Sequence, residues 1–331
     1  IIPGYDVDVS NLLRLWTALA DSIFDLDDFN RGDYFAAMAE QTSKENIARV
    51  LYPNDSTQAG KHLRLMQEYF LVSASIQDIL SRHLCRNPDI HSLADNIAIH
   101  LNDTHPVLAI PELMRLLMDR YDIPFDKAWK SCTKIFSYTN HTLMNEALET
   151  WSVSMLGQML PRHLEIIYEI NDHFLQSIRA LGYDDEFIRR VSIIDERNTR
   201  LIRMAWLAVI GSHKVNGVAK IHSDLMVSSL FADFAKIFPQ RFINITNGVT
   251  PRRWIVIANE PLATFLDKYL GSKGNWRTNL NLLTNLNQLA DKLEVQKEFV
   301  EVKRNAKLKL ANYVQRELGI TLNPDALFDV Q

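Results

Sequence analysis

The chain has 331 residues, 47% of them hydrophobic and 23% charged, with a formal net charge of -4. That apolar share supports a sizeable core and one to three domains at ~100–200 residues each, while near-balanced charge without a basic block excludes the electrostatic footprint of a nucleic-acid or anionic-membrane binder. The two cysteines, Cys85 and Cys132, form neither a CxxC pair nor a metal-type spacing with histidine, which points to a reduced, cytoplasmic protein with no metal site.

The chain opens on Ile1-Ile2-Pro3-Gly4, with neither a start methionine nor the basic n-region of a signal peptide. From Leu65 through Tyr69, Val72, Ile76 and Leu80, apolar residues recur at spacings of three and four, which predicts one face of a long helix. A strand is predicted over 96–101, running into Asn102-Asp103-Thr104-His105-Pro106 and then a helix. A second, over 135–138, runs into Thr139-Asn140-His141-Thr142 and another helix. Pro161 opens a helix whose stripe is Leu164, Ile167, Phe174, Ile178 and Leu181, with Gly182 as its stop. The longest apolar run, Met204 to Gly211, falls inside a helical pattern and is far below the ~18–20 residues of a membrane span.

A short strand is predicted over 191–194, and another over 242–245 that runs into Thr246-Asn247-Gly248-Val249-Thr250-Pro251. Gly271 to Asn275 is the best boundary loop, with the Asn247-Gly248 turn as an alternative crossover. A helix from about Asp291 to Leu318 closes at Gly319, its Lys- and Glu-rich side facing solvent. Ala326 to Gln331 then reads as a buried strand cut partway, so the chain is expected to be an internal piece of a longer protein. The fold class is helix-rich α/β. In such folds ligands sit beyond the carboxyl ends of strands, which singles out the three polar corners.

Each corner has a structural reading beside a functional one. Asp103 or Thr104 caps a helix that starts near Pro106, or Asp103 and His105 line a polar cleft. Thr142 caps a helix that holds Glu146 and Leu148, or His141 faces a ligand. Gly248 supplies positive φ to a tight turn, and Arg252 and Arg253 are phosphate forks or surface charge. No GxSxG, HExxH, GxxxxGK[ST] or GxGxxG pattern is present, and Ser212 and His213 are adjacent in a helical pattern and point in different directions. Paired carboxylates for glycoside hydrolysis stay open, since sequence does not supply their separation.

Read together, Leu12–Trp16, Val50–Asp55, Gly60–Leu65, Leu101–Pro106, Tyr138–Thr142, Leu160–His163, Gly211–Val218, Thr246–Trp254 and Asn323–Gln331 resemble, in order, blocks of the α-glucan (glycogen or maltodextrin) phosphorylases, in wording closest to the bacterial ones. The resemblance implies a two-lobed GT-B fold of paired Rossmann-like domains. Residues 1–250 would form the carboxy-terminal part of the amino-terminal, sugar-binding lobe, and 251–331 the start of the carboxy-terminal, cofactor-binding lobe.

It also implies reversible phosphorolysis: inorganic phosphate releases glucose 1-phosphate from α-1,4-glucan with retained configuration, assisted by pyridoxal 5′-phosphate. By the same resemblance His141 and Asn247 contact the transferred glucosyl unit, Asp55 lies on a gating loop and Asp103 on the inner wall. Tyr52, Arg64, His105 and Glu146 hold the acceptor end of the glucan, and Trp254 lies close to the cofactor. The attachment lysine is expected beyond Gln331, which would leave this chain inactive alone. Ser56-Thr57-Gln58-Ala59 lacks the aromatic residue that some regulated relatives carry in the gating loop. Gly32 to Glu45 resembles a helix that contacts the second subunit of a homodimer, or is an ordinary amphipathic surface helix. Two other readings compete: a non-catalytic α-glucan-binding module, and a GT-B transferase that uses a sugar nucleotide.

Overall fold

The computed structural model describes residues 1–4, 7–21, 24–197, 199–271 and 275–329. They divide into two compact units, one formed by Leu15–Asn247 and one by Ile1–Arg14 with Gly248–Gln331. Helix predominates, and no described helix is long and apolar enough to cross a membrane.

The larger unit is built on a four-stranded parallel sheet. Its strands are β1 (Ile99–Asn102), β2 (Phe136–Thr139), β6 (Lys214–Gly217) and β7 (Phe242–Asn244), paired in that spatial order. Leu101, Phe136, Tyr138 and Val215 carry at most 1% exposure, so this sheet runs through the core. Because the strands are parallel, their carboxyl ends share one edge, and the corners after β1 and β2 stand along it with Thr246 and Asn247 of the third.

Helices cover the sheet for legible reasons. Gln58–Arg86 starts where the Thr57 side chain accepts from the Gly60 amide, and it buries the predicted stripe of Leu65, Val72, Ile76 and Leu80. Pro161–Ala180 begins with proline in its first turn and buries Ile167, Phe174 and Ile178; Leu181, assigned to that stripe, is 66% exposed because it lies past the last helical turn. Met204–Gly211 is apolar on all sides and almost wholly buried.

Several expectations are corrected. After β1 the chain makes turns over 103–108, and the helix starts only at Ala109 without a side-chain cap, so neither Asp103 nor Thr104 caps it. Past β2 there is no α-helix: the loop 140–144 leads into a single 3-10 turn, Asn145–Ala147, and then β3 (Thr150–Ser152). The Thr142 hydroxyl instead accepts from the Met144 amide two residues on. Gly248 is not among the described glycines with positive φ. Of the predicted 191–194 strand only the last residue is extended, in the two-residue segment Ile194–Asp195. As β4 it pairs antiparallel with β5 (Leu201–Arg203), which also pairs with β3.

The smaller unit has its own core of Ala263, Phe265, Leu266, Trp276 and Val295. Its helix Glu260–Leu270 is capped by the Asn259 side chain. Leu293–Leu318 buries only Val295 and Ala311 and ends at Gly319 in the left-handed conformation, φ 70°. Leu327–Asp329 is not extended into a strand; Val330, Gln331 and residues 272–274 of the boundary loop lie outside the described residues.

Candidate functional site

The corner after β1 and the corner after β2 meet. His141 Nε2 lies 2.6 Å from Asn102 Oδ1, and the Asp103 amide donates to the Thr139 carbonyl at 3.0 Å. Because an amide oxygen only accepts, the Nε2–H of His141 donates in this contact. The corner after β2 is also tied to β6: the Thr139 hydroxyl donates to Asn216 Oδ1 at 2.7 Å, and the Asn140 amide to the Asn216 carbonyl at 3.0 Å.

Asn247 follows β7 on the same sheet edge, its amide held by the Val218 carbonyl at 2.9 Å. The Val218 amide in turn donates to His222 Nδ1 at 3.3 Å. Burial, with the proximity of His141 as a second cause, lowers the pKa of His222. Asn247 is thus tied through Val218 to His222, and both His141 and Asn247 are exposed.

A second group stands beside the first. The Tyr52 hydroxyl is 3.3 Å from His105 Nδ1, with ring centroids 5.1 Å apart. The Arg64 guanidinium lies over the Tyr52 ring at 5.1 Å. Burial raises the pKa of the Tyr52 phenol, with Arg64 pulling the other way. Arg64 faces three carboxylates: Glu68 at 3.6 Å, Glu149 at 3.7 Å and Asp55 at 4.0 Å. Tyr52, Arg64, His105 and Asn102 line a cavity of about 350 Å³ whose floor is apolar, formed by Leu71, Val72 and Ile76 among others.

Backbone geometry marks the same places. Tyr52 and Asp103 adopt positive φ, 59° and 67°, a conformation uncommon for residues with a Cβ. The loop that carries Asp55 is closed tightly, because a Cβ on Gly60 would lie 1.8 Å from the Asn54 carbonyl oxygen.

Two predicted residues stand apart. Glu146, exposed in its 3-10 turn, makes none of the contacts that join Tyr52, Arg64 and His105; Glu149, three residues on, is the carboxylate that reaches Arg64. Trp254 belongs to the smaller unit, on the helical turn Arg252–Ile257, and is 61% exposed. Of the two candidate phosphate forks, Arg252 donates to the Arg277 carbonyl at 2.7 Å. Sequence reasoning passed over Asn102 as a partner for His141, and over Glu68, Glu149 and His222. Glu68 alone had a local signal, lying four residues after Arg64 on one helix face.

The chain as a whole is similar to known proteins. The pattern of the carbohydrate phosphorylase family matches residues 1–331. The chain is 56% identical over 332 residues to the glycogen phosphorylase of Haemophilus influenzae and, likewise, to that of Pasteurella multocida. It is 46% identical over 339 residues to the muscle form of glycogen phosphorylase from Oryctolagus cuniculus. Each alignment covers 100% of this chain and 40% of the relative, so the chain spans about two-fifths of the length of the proteins it matches.

Proposed function

The chain belongs to the carbohydrate phosphorylase family, and from that premise we propose that the whole protein is an α-1,4-glucan phosphorylase with the two-lobed GT-B fold. Inorganic phosphate displaces the terminal glucosyl unit of glycogen or maltodextrin as glucose 1-phosphate. The observation that carries this reading is the junction of His141 and Asn102 at the carboxyl edge of a parallel sheet that also presents Asn247.

In phosphorolysis the bond between the anomeric carbon and the bridging oxygen breaks, that oxygen takes up a proton, and a phosphate oxygen attaches to the carbon. This chain's part is to bind and orient. His141, fixed by Asn102, and Asn247 hold the hydroxyls of the glucosyl unit, and an unmatched sugar would leave such groups unpaired at ~1–3 kcal/mol each. Asp55 and Asp103 supply negative potential where positive charge develops on the ring. Tyr52, Arg64 and His105 receive the acceptor end of the chain, with Glu146 at its outer margin.

Pyridoxal 5′-phosphate is the cofactor expected of the whole protein, but the described residues do not fit it. A Schiff-base lysine is desolvated, whereas no described lysine is buried and none lines the cavity beside Arg64. Trp254 is proposed only as a neighbour of the cofactor in the whole protein.

The helix Tyr34–Arg49 buries just Ala37 and leaves Phe35 93% exposed, which supports its use as a subunit contact in a cytoplasmic homodimer. The test is glucose 1-phosphate formation from maltodextrin and phosphate by the full-length protein, with none expected from the 331-residue chain alone. Turnover that requires a sugar nucleotide, or glucan binding without product, overturns the assignment.

A further inference from the structure

Glu68 and Glu149 come from distant parts of the chain, the long helix Gln58–Arg86 and the residue before β3, yet they face one another inside the larger unit. Their side chains are 6% and 11% exposed. Neither carboxylate oxygen of Glu68 and only one of Glu149 escapes the buried atoms that lack a hydrogen-bond donor. Their nearest cation, Arg64, holds its Nε 3.6 Å from one and 3.7 Å from the other, beyond hydrogen-bond reach of both.

Two ionised carboxylates only accept, so a facing pair of them bonds only when a proton sits on one. We propose that Glu68 and Glu149 share a single proton and act as a positioning pair, whose one remaining negative charge holds the Arg64 guanidinium over the Tyr52 ring. The proposal rests on the reading of Arg64 and Tyr52 as the wall that receives the acceptor end of the glucan.

Burial first, then the charge and hydrogen bond of Glu149, push Glu68 up to about 10, against the pull of Arg64. The other groups facing the assembly are Asp55 and Tyr52 from the preceding loop, Asp103 and His105 from the corner after β1, and Arg203 on β5, which lines the same cavity as Glu149. Fully ionised, Asp55, Glu68 and Glu149 would place three negative charges around one arginine. One proton lowers that excess where it is most buried.

The test uses the full-length protein with Glu68→Gln, Glu149→Gln and the double variant. Either single change keeps one acceptor charge or its equivalent, so the KM for long maltodextrins stays within about twofold. The double change raises it at least ~10-fold with kcat little altered, a coupling that independent structural roles do not produce. Two readouts do not depend on activity. The infrared spectrum of the parent shows a protonated-carboxyl C=O band that Glu68→Gln abolishes.

The melting temperature of Glu68→Gln also gains on the parent as pH rises from about 5 to about 8.5, because the folded parent retains a proton that the unfolded chain sheds above its ordinary carboxylate range. Absence of the band, or parallel pH profiles for parent and Glu68→Gln, overturns the shared proton. Additive effects in the double variant overturn the positioning role. A full-length protein without phosphorylase activity would refute the functional reading while the infrared band still decides the pair.

Discussion

His163 Nε2 lies 2.7 Å from a carboxylate oxygen of Glu112, a residue with no exposed surface. Arg115 adds two further hydrogen bonds to the same carboxylate, at 2.8 and 3.0 Å, and Ser73 another at 2.9 Å. Burial alone would raise the pKa of Glu112, but these donors together bring it down to about 2 from an ordinary 4.5. A depressed carboxylate contributes stability that is present above the unfolded pKa and lost as pH falls through the folded one. Glu112→Gln should therefore cost ~3 kcal/mol at pH 7 and progressively less between pH 4.5 and pH 2. Urea denaturation of the full-length parent and variant across that range checks it; a constant difference contradicts the assignment.

The bond from His141 to Asn102 makes a second, paired expectation. His141→Ala in the full-length protein should lower turnover at least ~100-fold, through loss of a hydroxyl contact that orients the glucosyl unit in the transition state. Asn102→Ala leaves the imidazole in place but unaimed, and should lower kcat by about 10-fold with a smaller change in KM. Steady-state kinetics on maltodextrin decide both, and parental kcat in Asn102→Ala would remove the orienting role.

Arg64→Ala should chiefly weaken binding of longer glucans, because Arg64 stands with Tyr52 and His105 rather than with His141. Measured against a series of maltodextrins, the rise in KM should grow with chain length. A defect confined to kcat would count against an acceptor-end role.

Gly60→Ala tests the tight closure of the loop that carries Asp55. The new methyl group would meet the Asn54 carbonyl oxygen at 1.8 Å, a backbone atom that does not swing aside. The variant should lose ~1–3 kcal/mol of stability, read as a lowered urea midpoint, and should bind glucan more weakly as Asp55 shifts. An unchanged midpoint would show that the loop relaxes freely.

Much of this arrangement is legible in the amino acids, and what is not has physical reasons. The long helices announce themselves because a buried stripe at helical spacing is a local signal: Leu65, Val72, Ile76 and Leu80 are all buried as read. β6 does not announce itself. Lys214-Val215-Asn216-Gly217 is short, polar and ends in glycine, a poor strand by propensity. It is extended because β2 and β7 pair on either side of it and Asn216 finds Thr139.

The corners were readable as polar loops after strands, yet the helices expected to follow at once do not. Asp103 spends its amide on the Thr139 carbonyl and its side chain on the Thr104 amide, so neither serves a cap. The carboxylates around Arg64 were hidden for a different cause. Nothing local distinguishes Glu149 from Glu146, and only the path of the chain into β3 turns the former inward.

The bond between Thr139 and Asn216 joins positions 77 apart in sequence. During synthesis β2 therefore emerges with one side of its ladder vacant, and it stays so until β3, β4, β5 and the helices between have been translated. Closing so long a loop is an entropic barrier that local contacts cannot lower. The histidine corner consequently matures late, and a ribosome that stalls before Gly217 would present an open strand edge for chaperones to shield.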